Sequence, residues 1–170
     1  TKLREAGMTV KLGKTAFFKV ETVFLGYVIS SDGIRPDQER IQSISRIPPP
    51  RNRKQVRRYL GILQYQNRFL VNYAKHVAPL RALLKKDTPF RWGSAEQEAF
   101  DRTKLLFADS ILLERPNDSL PFQIYTDASS YGYGAILCQT DEDNKRHVIA
   151  TASRGLSRTE SNASITELEI

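Results

Sequence analysis

Residues 121–139, PFQIYTDASSYGYGAILCQ, constrain this chain more than any other stretch. Phe122, Ile124 and Thr126 alternate with Gln123, Tyr125 and Asp127, the period of two expected of a strand with unlike faces. A small, turn-prone AlaSerSer follows Asp127, and residues 134–139 form a second short apolar run. The segment predicts a β-hairpin whose first strand ends at Asp127, with that carboxylate near the bend. Two readings of the carboxylate stay open. It can simply terminate a strand, or it can ligate a metal ion, because a strand holds it where it cannot swing away.

The rest of the composition sets limits. With 170 residues, 40% hydrophobic and 26% charged, the chain is long enough and apolar enough to bury a core. No apolar run approaches the length of a membrane span, and no signal-peptide pattern opens the sequence. The single Cys138 excludes an internal disulfide and any cysteine-built zinc site, and His76 and His147 stand far apart. A reducing, intracellular setting is expected.

Charge is unevenly spread. Residues 1–91 hold 19 Lys and Arg against 6 Asp and Glu, a balance of +13, whereas residues 92–170 hold 7 against 13, a balance of −6. A basic half followed by an acidic half fits a polyanion-binding part joined to one that carries carboxylate chemistry. Charges that only coat solvated faces would look the same at this level.

Taken in order, residues 1–6 read as the end of a helix closed by Gly7, and residues 8–12 and 22–30 as strands. Gly26 inside the second strand marks a bulge or a place where another backbone comes close. SerSerAspGly at 30–33 signals a turn, with a strand returning through Ile34 and Arg35. Asp37 can cap a short helix that ProProPro, 48–50, stops. Asn52 can cap the next helix, with Val56, Tyr59, Leu60 and Leu63 on one face, Arg53, Lys54, Arg57 and Arg58 on the other, and a break expected near Gly61. Residues 77–86 predict another helix, and Ser94 with Gln97 a capping box opening a helix through Phe107. Residues 147–153 read as a third strand, and a last helix covers IleThrGluLeuGluIle. Three antiparallel strands with a helix returning across them suggest an α/β layer. Such a helix would carry Glu169 toward Asp127, and two converging carboxylates suit a divalent cation such as Mg²⁺.

The ordered blocks carry a resemblance. PheLeuGlyTyrValIleSerSerAspGlyIle (24–34), ProProPro, ValArgArgTyrLeuGlyIleLeuGlnTyr (56–65) and AlaProLeu (78–80) are followed by PheArgTrp and GlnGluAlaPhe (90–100). TyrThrAspAlaSer, GlyTyrGlyAlaIleLeuCysGln, AlaSerArg and ThrGluLeuGlu complete the series. Together they resemble the Pol polyprotein of gypsy-type long-terminal-repeat retrotransposons, from the end of the reverse transcriptase into the ribonuclease H domain. The resemblance implies an α/β (α+β) fold: a helical thumb/connection region followed by an incomplete ribonuclease H-like domain with a mixed sheet and flanking helices. It divides the chain into 1–36 (end of the palm, with a primer-grip-like hairpin), 37–91 (thumb/connection, basic and helical) and 92–170 (connection helix and first part of ribonuclease H).

In a parent of that family, RNA-directed DNA synthesis is joined to two-metal hydrolysis of the RNA strand of RNA–DNA hybrids. The resemblance implies that Asp127 and Glu169 are catalytic metal ligands for Mg²⁺ or Mn²⁺. It implies further that Gly26, Tyr27, Arg53, Lys54, Arg57 and Arg58 contact nucleic acid. Expected partners are the RNA–DNA hybrid, the template–primer duplex and the rest of the Pol polyprotein, with no membrane. The expected location is the cytoplasm, virus-like particles or the nucleus. No TyrXxxAspAsp motif stands in the sequence, so the chain reads as an internal piece, inactive alone. A competing reading is a non-catalytic nucleic-acid-binding relic of a decayed or co-opted element.

Overall fold

The structure, a computed structural model, describes residues 2–86, 88–157, 159 and 160. Five helices and seven strands are assigned among them: α1 (Lys2–Glu5), β1 (Glu21–Phe24), β2 (Tyr27–Ser30), β3 (Gly33–Pro36), α2 (Gln38–Ser45), α3 (Arg53–Tyr65), α4 (Tyr73–Ala82), α5 (Ser94–Ala108), β4 (Leu113–Glu114), β5 (Gln123–Ser129), β6 (Gly132–Thr140) and β7 (Arg146–Gly155). They make an α/β (α+β) fold of two sheets, β1-β2-β3-β4 and β5-β6-β7, and every described pairing is antiparallel. β4 belongs by sequence to the second half of the chain but completes the sheet begun by residues 21–36.

Two expectations fail in the first sheet. Residues 8–12 form no strand: 8–11 are irregular, Leu12–Lys14 is a single 3-10 turn, and all are exposed, with no strand paired to them among the described residues. Residues 22–30 are not one strand but a hairpin, with Phe24 paired to Tyr27 across Leu25–Gly26. Leu25 (φ 52°) and Gly26 (φ 80°) both take the left-handed conformation, the turn whose twist matches that of the strands it joins. Gly26 is therefore a turn residue rather than a bulge. Gly33 answers to a different demand, since a Cβ there would run into the Leu113 carbonyl and block the β3–β4 pairing.

Asn52 caps α3 as expected, its Oδ1 accepting the Gln55 N–H at 2.9 Å. Gly61 does not break the helix, which runs on to Tyr65. The chain turns later, through the 3-10 segment Asn67–Phe69 and Asn72 (φ 55°). α4 starts four residues earlier than the predicted helix because Tyr73 and Ala74 are buried, and it ends at Ala82 rather than continuing to Lys86. The cap of α5 also shifts by one: Gly93 N–H donates to Glu96 Oε2 at 2.9 Å, while Gln97 accepts the Trp92 indole N–H at 2.9 Å.

The main core is helical. Ile44, Val56, Tyr59, Leu63, Tyr73, Val77, Leu80, Phe100 and Phe107 pack together from α2, α3, α4 and α5. At its centre the Tyr59 hydroxyl and Thr103 Oγ1 share a hydrogen bond of 2.8 Å. Lys104 donates to the Ser45 and Ile47 carbonyls at 2.8 and 2.6 Å, tying α5 to the chain just before the prolines. The segment joining α3 to α4 rests on β7: Thr151 Oγ1 donates to the Arg68 carbonyl at 2.8 Å, and the Ala74 N–H donates to Ser153 Oγ at 3.0 Å.

The second sheet is the expected hairpin and third strand, with one correction. β5 does not stop at Asp127; it continues to Ser129, and Ser130–Tyr131 make the turn. Gly132 permits this tight end, because a Cβ there would meet the Arg154 carbonyl of β7. A register shift between Leu137 and Cys138 bends β6 against β7. The expected last helix falls in residues 161–170, outside the described residues. No helix among the described residues is long and apolar enough to cross a membrane.

Candidate functional site

Asp127 occupies one rung of the second sheet, opposite Gly134, which is opposite Ser153. Cross-strand partners point to the same face. Gly134 has no side chain, so nothing on the neighbouring strand covers the carboxylate, and Asp127 is exposed. From the other side, Asn72 at the start of α4 brings its Oδ1 to within 3.2 Å of where a Gly134 Cβ would stand. A small recess of about 60 Å³ lies there, lined among others by Asn72, Lys75, Asp127, Ser129 and Ser153. On the opposite face of the sheet a wider depression of about 440 Å³ lies behind the same rung, with Thr126, Tyr133, Ala152 and Arg154 in its walls.

Asp127 is the carboxylate lining the smaller recess. Among the described residues no three His, Cys, Asp or Glu side chains gather into a metal-holding cluster. An exposed, strand-borne carboxylate beside an open recess suits one ligand of a hard cation such as Mg²⁺, which takes oxygen donors and keeps several waters. Glu169, the expected second ligand, lies outside the described residues. Arg154 stacks on Tyr133 at 5.1 Å and is held by Glu160 through hydrogen bonds of 2.6 and 3.1 Å. That guanidinium, with the Ser157 N–H, pulls the Glu160 carboxyl down to about 2.

The basic residues lie on α3. Lys54, Arg57 and Arg58 are exposed and Arg53 is half-buried, and none of the four is in an ion pair among the described residues. Farther along the helix, Gly61 is exposed, with no atom of the described residues within 4 Å of its Cβ position. At the end stands Tyr65, stacked on Tyr27 of the first hairpin with ring centroids 5.3 Å apart and planes at 11°. The two tyrosines are cross-tied: the Tyr27 hydroxyl donates to the Tyr65 carbonyl at 2.9 Å, and the Tyr65 hydroxyl to the Leu25 carbonyl at 2.8 Å. Burial, then Tyr65, pushes the Tyr27 phenol up.

At a rise of about 1.5 Å per residue, Arg58 lies only about 10 Å along the axis from Tyr65. The hairpin that carries Gly26 and Tyr27 thus docks on the same helix that carries the basic residues. Sequence reading missed Tyr65, Arg40 and Arg68. Arg40 sits over the Tyr65 ring at 5.9 Å, and Arg68 over the Tyr27 ring at 5.7 Å. The PheLeuGlyTyr turn was the available signal, since a hairpin ending in an aromatic residue needs a partner surface.

Comparison with known proteins agrees with this architecture. Residues 92–170 match the RNase H-like domain found in reverse transcriptase. Over 179 residues the chain is 33% identical to the retrovirus-related Pol polyprotein from transposon opus of Drosophila melanogaster, covering 99% of this chain and 18% of that one. The corresponding protein from transposon 412 of the same organism is 36% identical over 169 residues, with 99% and 14% covered. The transposon Tf2-3 polyprotein of Schizosaccharomyces pombe is 30% identical over 169 residues, with 99% and 13% covered. The chain spans less than a fifth of the length of these relatives.

Among solved structures, foamy viral protease-reverse transcriptase in complex with dsDNA superposes with a TM-score of 0.77 at 24% identity, over 98% of this chain and 35% of that one. The same protein in complex with an RNA/DNA hybrid gives 0.72 at 23% identity, over 92% and 21%. These two likenesses concern the fold. The second half of the chain is thus of the RNase H-like class found in reverse transcriptases. Over nearly its whole length the chain is similar to the Pol polyproteins of these transposons.

Proposed function

We propose that this stretch serves its parent polyprotein in two ways. It grips template–primer duplex along α3 and the Tyr27 hairpin, and it supplies the first metal-binding carboxylate of a centre that hydrolyses the RNA strand of RNA–DNA hybrids. In this reading residues 1–36 close the palm, 37–91 form the thumb/connection, and 92–170 open the ribonuclease H domain. The observation that carries it is Asp127: an exposed carboxylate on a strand within the segment matching the RNase H-like family, next to a glycine that leaves it uncovered. Asp127 would hold a divalent ion, with Glu169 as the second ligand that the resemblance implies. Such ions, when bound, activate a water and neutralise charge developing on the phosphate. The chain's own contribution is to hold the Asp127 backbone in register with β6, with no side chain opposite it at Gly134.

The experiment is cleavage of a labelled RNA–DNA hybrid by the full-length polyprotein. Cleavage should stop on chelation and return with added Mg²⁺; cleavage that persists without divalent metal overturns the assignment.

The basic helix makes a separate, quantitative prediction. Duplex affinity of this chain should fall steeply with salt, because each phosphate neutralised releases counterions. Replacing Arg57 or Arg58 by Gln should lower the log–log slope by roughly 0.9 for each phosphate that is no longer neutralised. Fluorescence anisotropy on duplexes of unrelated sequence checks this, and a slope unchanged in the double variant removes α3 from the binding surface. Base sequence should matter little, since phosphate contacts position a duplex without reading it.

A further inference from the structure

His147 stands second in β7, opposite Gln139, and both of its ring nitrogens face carboxylates. Nδ1 is 2.6 Å from Glu114 Oε2, and Nε2 is 2.8 Å from Asp141 Oδ2. A carboxylate only accepts hydrogen bonds, and a neutral imidazole carries a single N–H. Both contacts are therefore satisfied only when the ring is doubly protonated. With one proton gone, a nitrogen lone pair would face a carboxylate oxygen at hydrogen-bond distance.

The two carboxylates come from different places, a strand of the first sheet and a turn of the second. Asp141 lies in the β6–β7 turn and is fixed there: its Oδ1 accepts the Lys145 N–H at 2.8 Å, and its own N–H donates to the Lys145 carbonyl at 3.0 Å. Glu114 lies on β4, the edge strand of the first sheet, which pairs with β3 at only two positions, Gly33–Glu114 and Ile34–Leu113. So short a ladder gives β4 little backbone restraint of its own. The site is only partly open to water, with His147 21% exposed and Glu114 and Asp141 29% each. Arg146, the preceding residue, sends its guanidinium over the Tyr125 ring at 4.4 Å, and Gln139 opposite is neutral. The charged groups acting on the ring are Asp141 and Glu114.

We propose that Glu114, His147 and Asp141 form an imidazolium latch that fastens the edge strand of the first sheet to the second, and that loss of one proton from His147 opens it. The latch is independent of the nuclease reading. Its pH window follows from the partners. The hydrogen bond to Asp141, then that to Glu114, raises the His147 pKa, so its stabilisation is complete below the unfolded-state value and is lost as pH rises through the folded-state value. His147 in turn lowers the Asp141 pKa, so that contribution holds above the unfolded carboxylate value and is lost as pH falls through the folded one.

The test is an NMR titration of the whole chain, and the other histidine serves as an internal reference. His76 is pushed the opposite way, by burial first and then by Arg102 and Lys75. The His147 ring should titrate above an unperturbed imidazole and His76 below it. Hydrogen-exchange protection of the β3–β4 amides, corrected for intrinsic exchange, should fall as pH rises through the His147 midpoint. The fall should be about tenfold for each unit by which that midpoint exceeds the unperturbed value. H147Q should give low, pH-independent protection, and E114Q should lower the His147 midpoint. If either variant fails to fold, the wild-type titration still decides. A His147 midpoint at or below that of an ordinary imidazole, or protection flat through it, overturns the latch.

Discussion

Asp127→Asn, placed in the full-length polyprotein, is expected to cut cleavage of hybrid RNA by about 10³-fold while DNA synthesis by the same preparation continues. The substitution preserves size and one oxygen but removes the negative charge that a hard divalent cation requires. Losing metal-borne stabilisation of the transition state is worth several kcal/mol, and about 4 kcal/mol corresponds to roughly 10³ in rate. The fold should be spared, because the Asp127 side chain is exposed and Gly134 leaves it without a packed neighbour on the adjacent strand. Hybrid cleavage on a denaturing gel, read beside primer extension, separates the two activities. Cleavage at the wild-type rate would remove Asp127 from the site; loss of both activities would point to a folding defect instead.

The second large effect concerns stability. Phe100→Ala should cost about 3–5 kcal/mol, a large part of the roughly 5–15 kcal/mol that holds a typical domain together. Phe100 is 1% exposed and is held by three different neighbours. Trp92 meets it edge-on at 5.9 Å, Tyr59 packs at 4.8 Å, and the Lys104 ammonium sits 4.4 Å from the ring centre. Truncation leaves a cavity beside Tyr59, on the face of α3 opposite its arginines. Duplex binding should therefore weaken with stability although no phosphate-binding side chain has been touched. Urea denaturation checks the cost, and a loss below about 1 kcal/mol would be incompatible with the packing described.

What could be read ahead of the structure follows from the range of the interactions. The buried face of α3, the Asn52 cap and the three-strand meander are local patterns, and each is where periodicity and capping place it. The turn at Leu25–Gly26 escaped because leucine is a poor residue for the left-handed conformation, and the apolar alternation runs on through it unbroken. β4 could not be found from sequence at all. Its partner β3 is almost eighty residues away, and two residues carry no period. The site divides the same way. Asp127 was visible as a carboxylate on a strand, but Asn72, Lys75 and Ser153 reach its surroundings from α4 and β7. Tyr65 escaped because its role depends on where the first hairpin lands.

The joint between the helices and β7 distributes constraint unequally. On the helical side it uses only backbone groups, the Arg68 carbonyl and the Ala74 N–H; on the strand side it uses the hydroxyls of Thr151 and Ser153. Side chains at 68 and 74 can drift through many replacements while both hydrogen bonds persist. A single change to alanine at 151 or 153 removes one outright. Relatives of this chain should therefore vary at the helical elbow while keeping hydroxyl-bearing residues at two alternate positions of one strand.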